Sequence, residues 1–151
     1  VKAKIPQSVL VVIHTANLEV LILNRSDHPG FWQSVTGSLD SLNEPPMAAA
    51  AREVLEETGL DAREHVLTDW HYSIDYAIYP QFLYRYAQGV VRNTEHWFGL
   101  TLAMALPVTL SPREHTGYEW LDYREAATRC FSPSNAEAIL QLPRRLPAAS
   151  R

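Results

Sequence analysis

The stretch Gly37–Leu60, GSLDSLNEPPMAAAAREVLEETGL, is the part of this chain on which the rest turns. Pro45 and Pro46 suit the first turn of a helix, where an N–H has no intrahelical acceptor to meet. Ala48 to Ala51 give high helix propensity and a face for close packing, and Gly59 suits the left-handed residue that ends a helix. Within that helix, Arg52-Glu53-Val54-Leu55-Glu56-Glu57 places four charged side chains in six positions. At about 100° per residue, Glu57 lies about 40° from Glu53, and Glu56 about 60° from it on the other side. All three carboxylates are therefore expected on one face. They also fall late in the helix, where the macrodipole disfavours anions. A solvated acidic face is the ordinary reading of a charge run. A sequence that accepts both mutual repulsion and the wrong dipole end points instead to a divalent cation. Hard cations prefer carboxylate oxygens, and Mg²⁺ commonly joins one or two carboxylates to a substrate phosphate.

Outward from the helix the pattern is mostly strand. Ser8 to His14 (SVLVVIH) reads as a buried strand. Ala16-Asn17 turns it into a second strand over Glu19 to Leu23, its expected hairpin partner. Arg25 to Gly30 is turn chemistry, and Phe31 to Thr36 returns to strand. After the helix, Val66 to Tyr79 reads as one or two aromatic-rich strands, Gln81 to Tyr86 as a further strand, and Glu95 to Leu102 as another. A loop from Pro107 to His115 leads into a short strand, Gly117 to Leu121. Asp122 is placed to cap a helix over Tyr123 to Cys130. Ser134-x-x-Glu137 has the form of a capping box opening a last helix, which Pro143 would stop. Residues 143–151 read as a loose tail. With no repeat or linker, residues 1–151 are expected to form one domain, of α/β (α+β) class, with a mixed sheet covered by helices on its faces.

Composition narrows the function. The 151 residues carry a formal net charge of -4, which argues against a binder of nucleic-acid polymers. It does not argue against a small anion, because a metal supplies positive charge locally. The lone cysteine, Cys130, allows no intrachain disulfide and reads as a small core residue rather than a nucleophile. There is no apolar run of the roughly 18 residues that a membrane span needs, and no signal-peptide cleavage pattern. A reducing, cytoplasmic address is expected. Oligomeric state is not written in the composition.

Gly37, Glu44, Arg52, Glu53, Glu56, Glu57 and Gly59 together resemble the Nudix box. That pattern is a glycine, five residues, a glutamate, seven residues, then Arg-Glu-apolar-x-Glu-Glu-x-Gly-apolar. REVLEETGL matches every fixed position, and Glu44 keeps its distance from Arg52, but six residues rather than five separate Gly37 from Glu44. The resemblance implies an α/β/α sandwich with a mixed sheet. It also implies hydrolysis of a nucleoside diphosphate linked to another group, with Mg²⁺ or Mn²⁺. On that basis Glu53 and Glu57 are expected metal ligands, with Glu56 a ligand or base. Arg52 and Glu44 are expected to fix the ligands' orientation. The extra residue puts at issue whether Gly37 reaches the metal.

Three further stretches are similar to a bacterial subgroup of that family. They are Phe31-Trp32-Gln33-Ser34-Val35-Thr36-Gly37-Ser38, then Arg85-Tyr86-Ala87-x-Gly89-Val90-x-Arg92-Asn93-Thr94-Glu95-x-Trp97-Phe98, and Glu114-His115 followed by Trp120-Leu121-Asp122. The likeness implies cleavage of 7,8-dihydroneopterin 3′-triphosphate to the monophosphate and pyrophosphate, an early step of folate synthesis. It implies substrate contacts at Lys4, Arg25, Thr36, Tyr76, Ala77, Ile78, Tyr79 and Ser132, and a third metal ligand or base at Glu114. Trp32 and the Tyr76 to Tyr79 segment are expected to line or stack a flat pterin. Trp32, Trp97 and Trp120 fit the core equally well, and His115 reads as a solvated loop residue. The enzymatic alternative is a hydrolase of nucleoside triphosphates such as dGTP or an oxidised purine dNTP. A module that senses a nucleotide without cleaving it is the non-enzymatic one, though such modules typically lose box carboxylates.

Overall fold

Strand β1 (Gln7–Thr15) is buried from Ser8 onward because it lies at the centre of the sheet. One edge pairs in parallel with β6 (Arg92–Leu102), from Gln7 opposite Thr94 to Thr15 opposite Leu102. The other edge is shared. Ser8 to Val11 pair antiparallel with β4 (Val35–Ser38), and His14 meets Val20 of β2 (Glu19–Arg25). Antiparallel partners complete the sheet: β3 (Trp32–Gln33) and β7 (His115–Asp122) on β2, and β5 (Val66–Ala77) on β6. The sheet is mixed, as read from the sequence. The computed structural model describes residues 2–146.

The two-residue period of β1 divides the core. Val9, Val11 and Ile13 pack with Phe98, Leu100 and with Ala49, Ala50 and Val54 of α1 (Pro46–Thr58). Leu10 and Val12 face the other way, onto Trp97, Ala126, Ala138, Ile139 and Leu142. Those last four belong to α2 (Tyr123–Arg129), α3 (Pro133–Leu140) and α4 (Leu142–Arg145). Each fully buried aliphatic contributes about 1.5–3 kcal/mol. Helices thus cover both faces of the sheet. Among the described residues, no helix is long and apolar enough to cross a membrane.

Four local expectations are corrected. Phe31 to Thr36 is not one strand: the ladder breaks at Ser34, whose N–H donates to the Asn135 side chain at 2.8 Å. The chain thereby changes partner, from β2 through β3 to β1 through β4. Gln81 to Tyr86 is not a strand but part of a 3₁₀ turn, Pro80–Arg85. Pro80 brings a fixed φ and no N–H, which favours a helical first turn, and Phe82 N–H closes onto the Tyr79 carbonyl at 2.9 Å. The last long helix opens two residues earlier than the capping box suggested. Ser132 is the cap, its hydroxyl accepting from Asn135 N–H, with Pro133 at the first helical position. Pro143 does not end the helical path, because it falls in the first turn of α4. Of the expected tail, 143–145 is therefore helical, and 147–151 lies outside the described residues.

Candidate active site

Helix α1 ends as expected, with Gly59 at φ 75° and its N–H on the Leu55 carbonyl at 2.9 Å. Its buried face carries Ala49, Ala50, Glu53, Val54, Glu57 and Thr58. That face divides the three glutamates. Glu53 and Glu57, one turn apart, point in with the alanines, whereas the Glu56 side chain is 51% exposed. Glu57 is 1% exposed, and both its carboxylate oxygens are buried without a hydrogen-bond partner. Burial pushes its pKa well above the ordinary glutamate range, and the neighbouring Glu53 carboxylate adds to the shift. Burial also raises Glu53, opposed by Arg52.

Arg52 organises the rim of this acidic cluster. Its Nε and Nη2 donate to the two oxygens of Glu44 at 3.0 Å each, Nη1 donates to Glu53 Oε1 at 2.7 Å, and Nη2 also reaches the Ser38 carbonyl at 3.1 Å. The hydrogen bond to Arg52 holds Glu44 below its usual pKa. The loop with the extra residue wraps this guanidinium: Asp40 N–H donates to Glu44 at 2.8 Å, and the Asp40 carboxylate lies 3.2 Å from Arg52 Nε. Gly37 stays against the cluster, where a Cβ would overlap the Glu53 carboxylate. Gly37 thus lies against Glu53 even with six residues between it and Glu44.

The third carboxylate arrives from a distant loop. Glu114 is fixed by its own N–H on the Ser111 carbonyl (3.0 Å) and by Ser26 N–H on its carbonyl (2.9 Å). Its carboxylate groups with those of Glu53 and Glu57, one oxygen from each lying within 4.8 Å of the others. Glu56 is not a member of this group. Orphaned buried oxygens on Glu57 and a three-carboxylate, all-oxygen donor set fit a hard divalent cation. His115, expected to be solvated, is instead 3% exposed, with Nδ1 3.7 Å from Glu57 Oε1. Burial, with Arg25 nearby, lowers its pKa to about 4, so the ring is neutral at pH 7. It was misread because β7 starts two residues before the predicted strand, carrying His115 into the sheet opposite Arg25.

These residues open onto a cavity of about 1060 Å³. It is lined by Lys4, Arg25, Thr36, Tyr76, Ala77, Ile78, Tyr79 and Ser132, all expected to contact substrate. Gly37, Arg52, Glu53, Glu56, Glu57 and Glu114 border it as well. Arg25 is held by Asp27 through two bonds of 2.8 and 2.7 Å and lies over the Phe82 ring. Burial, then Arg85, lowers the Lys4 pKa. Thr36 accepts from Gln33 at 3.2 Å. Arg85, Arg113, Asn93, Glu95 and Asn135 also line the cavity and had been given no role. The non-local contacts that gather them leave no periodicity in the sequence. Trp32, which the sequence left open between substrate and core, does not line the cavity but packs against the second core cluster. It pairs with Cys130 and lies under Arg129, whose guanidinium is 4.8 Å from its ring centroid. Trp97 belongs to the core.

Comparison with known proteins agrees with this geometry. The NUDIX domain model matches residues 4–142. The chain is 43% identical to the dihydroneopterin triphosphate diphosphatase of Escherichia coli over 141 residues, covering 91% of this chain and 92% of that one. It is also 43% identical to the Haemophilus influenzae protein of the same name over 136 residues, covering 88% and 84% respectively. The solved structure of the E. coli dihydroneopterin triphosphate pyrophosphohydrolase superposes with a TM-score of 0.88 at 41% identity, covering 95% of this chain and 99% of that one. A glutamate cluster on one helix, its arginine brace and a domain-long match give one conclusion: the chain belongs to the NUDIX family of hydrolases.

Proposed function

We propose that this protein is a Mg²⁺-dependent pyrophosphohydrolase that converts 7,8-dihydroneopterin 3′-triphosphate to dihydroneopterin 3′-phosphate and pyrophosphate, a step of folate synthesis in the cytoplasm. The observation that carries the reading is the single cavity that joins a buried carboxylate cluster to a chamber lined by cations and aromatics. Relatives at 43% identity bear the name of that activity. Glu53, Glu57 and Glu114 would hold the cation, with Glu56 at the exposed rim and Gly37 beside Glu53. When bound, such an ion neutralises phosphate charge and lowers the pKa of a coordinated water. The chain's own residues do the rest. Arg52 clamps Glu53 and Glu44, so that the ligand carboxylate keeps one rotamer. Lys4, Arg25, Arg85 and Arg113 offset the triphosphate charge. Tyr76 to Tyr79, Thr36 and Ser132 bound the space for the rest of the substrate.

Pterin and guanine share an aminopyrimidinone edge, so a guanine nucleoside triphosphate such as dGTP is the second reading. A non-cleaving sensor is disfavoured by the complete set of box carboxylates. Phosphorus NMR of the reaction tests the proposal: pyrophosphate and a monophosphate are expected, whereas orthophosphate with a diphosphate contradicts it. Glu57→Gln is expected to lower kcat at least a hundredfold, since it removes a carboxylate from the ion site. Undiminished turnover in a folded Glu57→Gln protein would overturn the assigned role.

A further inference from the structure

One wall of the cavity is used by neither the acidic cluster nor the cations. Asn93, Glu95 and Trp97 alternate along β6 and so share a face. Ser8 lies opposite Glu95 on β1, and Tyr76 opposite Asn93 on β5. Glu95 is 6% exposed and lines the cavity, with no cation bonded to it. Trp97 Nε1 donates to its Oε1 at 3.0 Å, and its other oxygen has no partner among the described residues. Burial pushes its pKa up to about 7, with the Trp97 bond opposing. A carboxylate this buried is rarely left unpaired. Asn93 repeats the pattern. Its Nδ2 donates to the Ser8 hydroxyl at 2.7 Å and the Tyr76 hydroxyl at 3.2 Å, while Oδ1 is buried without a partner. Among the described residues, no donor answers Asn93 Oδ1 or the second Glu95 oxygen. Tyr79, Phe82 and Phe131 line the same cavity, and flat faces suit a flat ring.

We propose that Glu95 and Asn93 determine specificity by reading the 2-amino-4-oxo pyrimidine edge of the substrate's heterocycle. Glu95 accepts from the exocyclic amino group and the adjacent ring N–H, and Asn93 Oδ1 takes the second amino hydrogen. A ring with a carbonyl at the 2-position sets oxygen against carboxylate and is rejected. The inference rests on the substrate reading above and deepens it.

Neopterin and its 2-oxo counterpart, the matching lumazine, test it without phosphate or metal, by quenching of their own fluorescence. The wild type is expected to bind neopterin at least tenfold more tightly, because a site built for N–H donors rejects analogues that lack them. Glu95→Gln keeps an acceptor for Trp97 but turns an amide N–H₂ toward the ligand. It is expected to lose tenfold to a hundredfold for neopterin and to reverse the preference. An unchanged preference in Glu95→Gln overturns the inference. If that variant does not fold, the wild type decides alone, and equal binding of the two rings overturns it. Failure of the substrate reading looks different. A wild type that selects the 2-amino ring yet releases no pyrophosphate from dihydroneopterin triphosphate sinks the activity and leaves the recognition standing.

Discussion

Glu57 and Glu95 are both buried carboxylates, and on the proposed reading they serve different ends of the substrate. Glu57 faces two other carboxylates, and a bound cation would relieve it. Among the described residues, Glu95 is bonded only by the Trp97 N–H, and no cation pairs with it. Its pKa of about 7, against an ordinary 4.5, means that the folded chain binds more protons than the unfolded chain between those pH values. Stability therefore falls as pH rises through that window, by about 3 kcal/mol in order of magnitude. Glu95→Gln should be more stable than the wild type at pH 8, with the gain fading to near zero below pH 4. Denaturant melts across that range check it, and a difference independent of pH would contradict the account. At this scale the sequence was partly legible. Glu53, Glu57 and Arg52 stood out because a short helical run of charges is conspicuous. His115 and Glu95 did not, because burial of a single polar residue in a strand is decided by what packs over it.

Helix α1 and strand β4 position the acidic cluster together. Gly37, on β4, leaves the space that the Glu53 carboxylate fills. In Gly37→Ala the added methyl meets the far end of a flexible side chain, so the fold should survive while Glu53 is displaced. Mn²⁺ titration is expected to show at least a tenfold loss of affinity with little change in melting temperature; unchanged affinity would contradict the contact. The helix could be read from its prolines, alanines and Gly59 because both its ends carry local chemistry. The 3₁₀ turn at Pro80–Arg85 and the Ser34 break could not be read as readily. The first looks like a strand by composition, and the second depends on Asn135, 101 residues away. The expected capping box failed for a simpler reason: Ser132 and Ser134 both offer hydroxyls, and Pro133 favours the earlier start.

Across the whole molecule, the cavity gathers residues that the chain holds far apart: Lys4 from before β1, Glu53 and Glu57 from α1, Glu95 from β6, Glu114 from the loop before β7. The sheet order that assembles them, with β6 in parallel beside β1, is a non-local property that periodicity alone does not specify. The Nudix resemblance gave that architecture because its motif is long and its spacing rigid. Assembly of a repelling cluster has a global consequence. Mg²⁺ at about a hundred times its dissociation constant should stabilise the fold by about 2.7 kcal/mol, raising the melting temperature by roughly 5–10 °C. No shift with Mg²⁺ would argue against an ion site at the cluster. The most direct test of the account is a side-by-side measurement of kcat/KM on 7,8-dihydroneopterin 3′-triphosphate and dGTP with Mg²⁺. A clear preference for the pterin, with pyrophosphate as the released product, is expected; a clear preference for dGTP would overturn the pterin assignment.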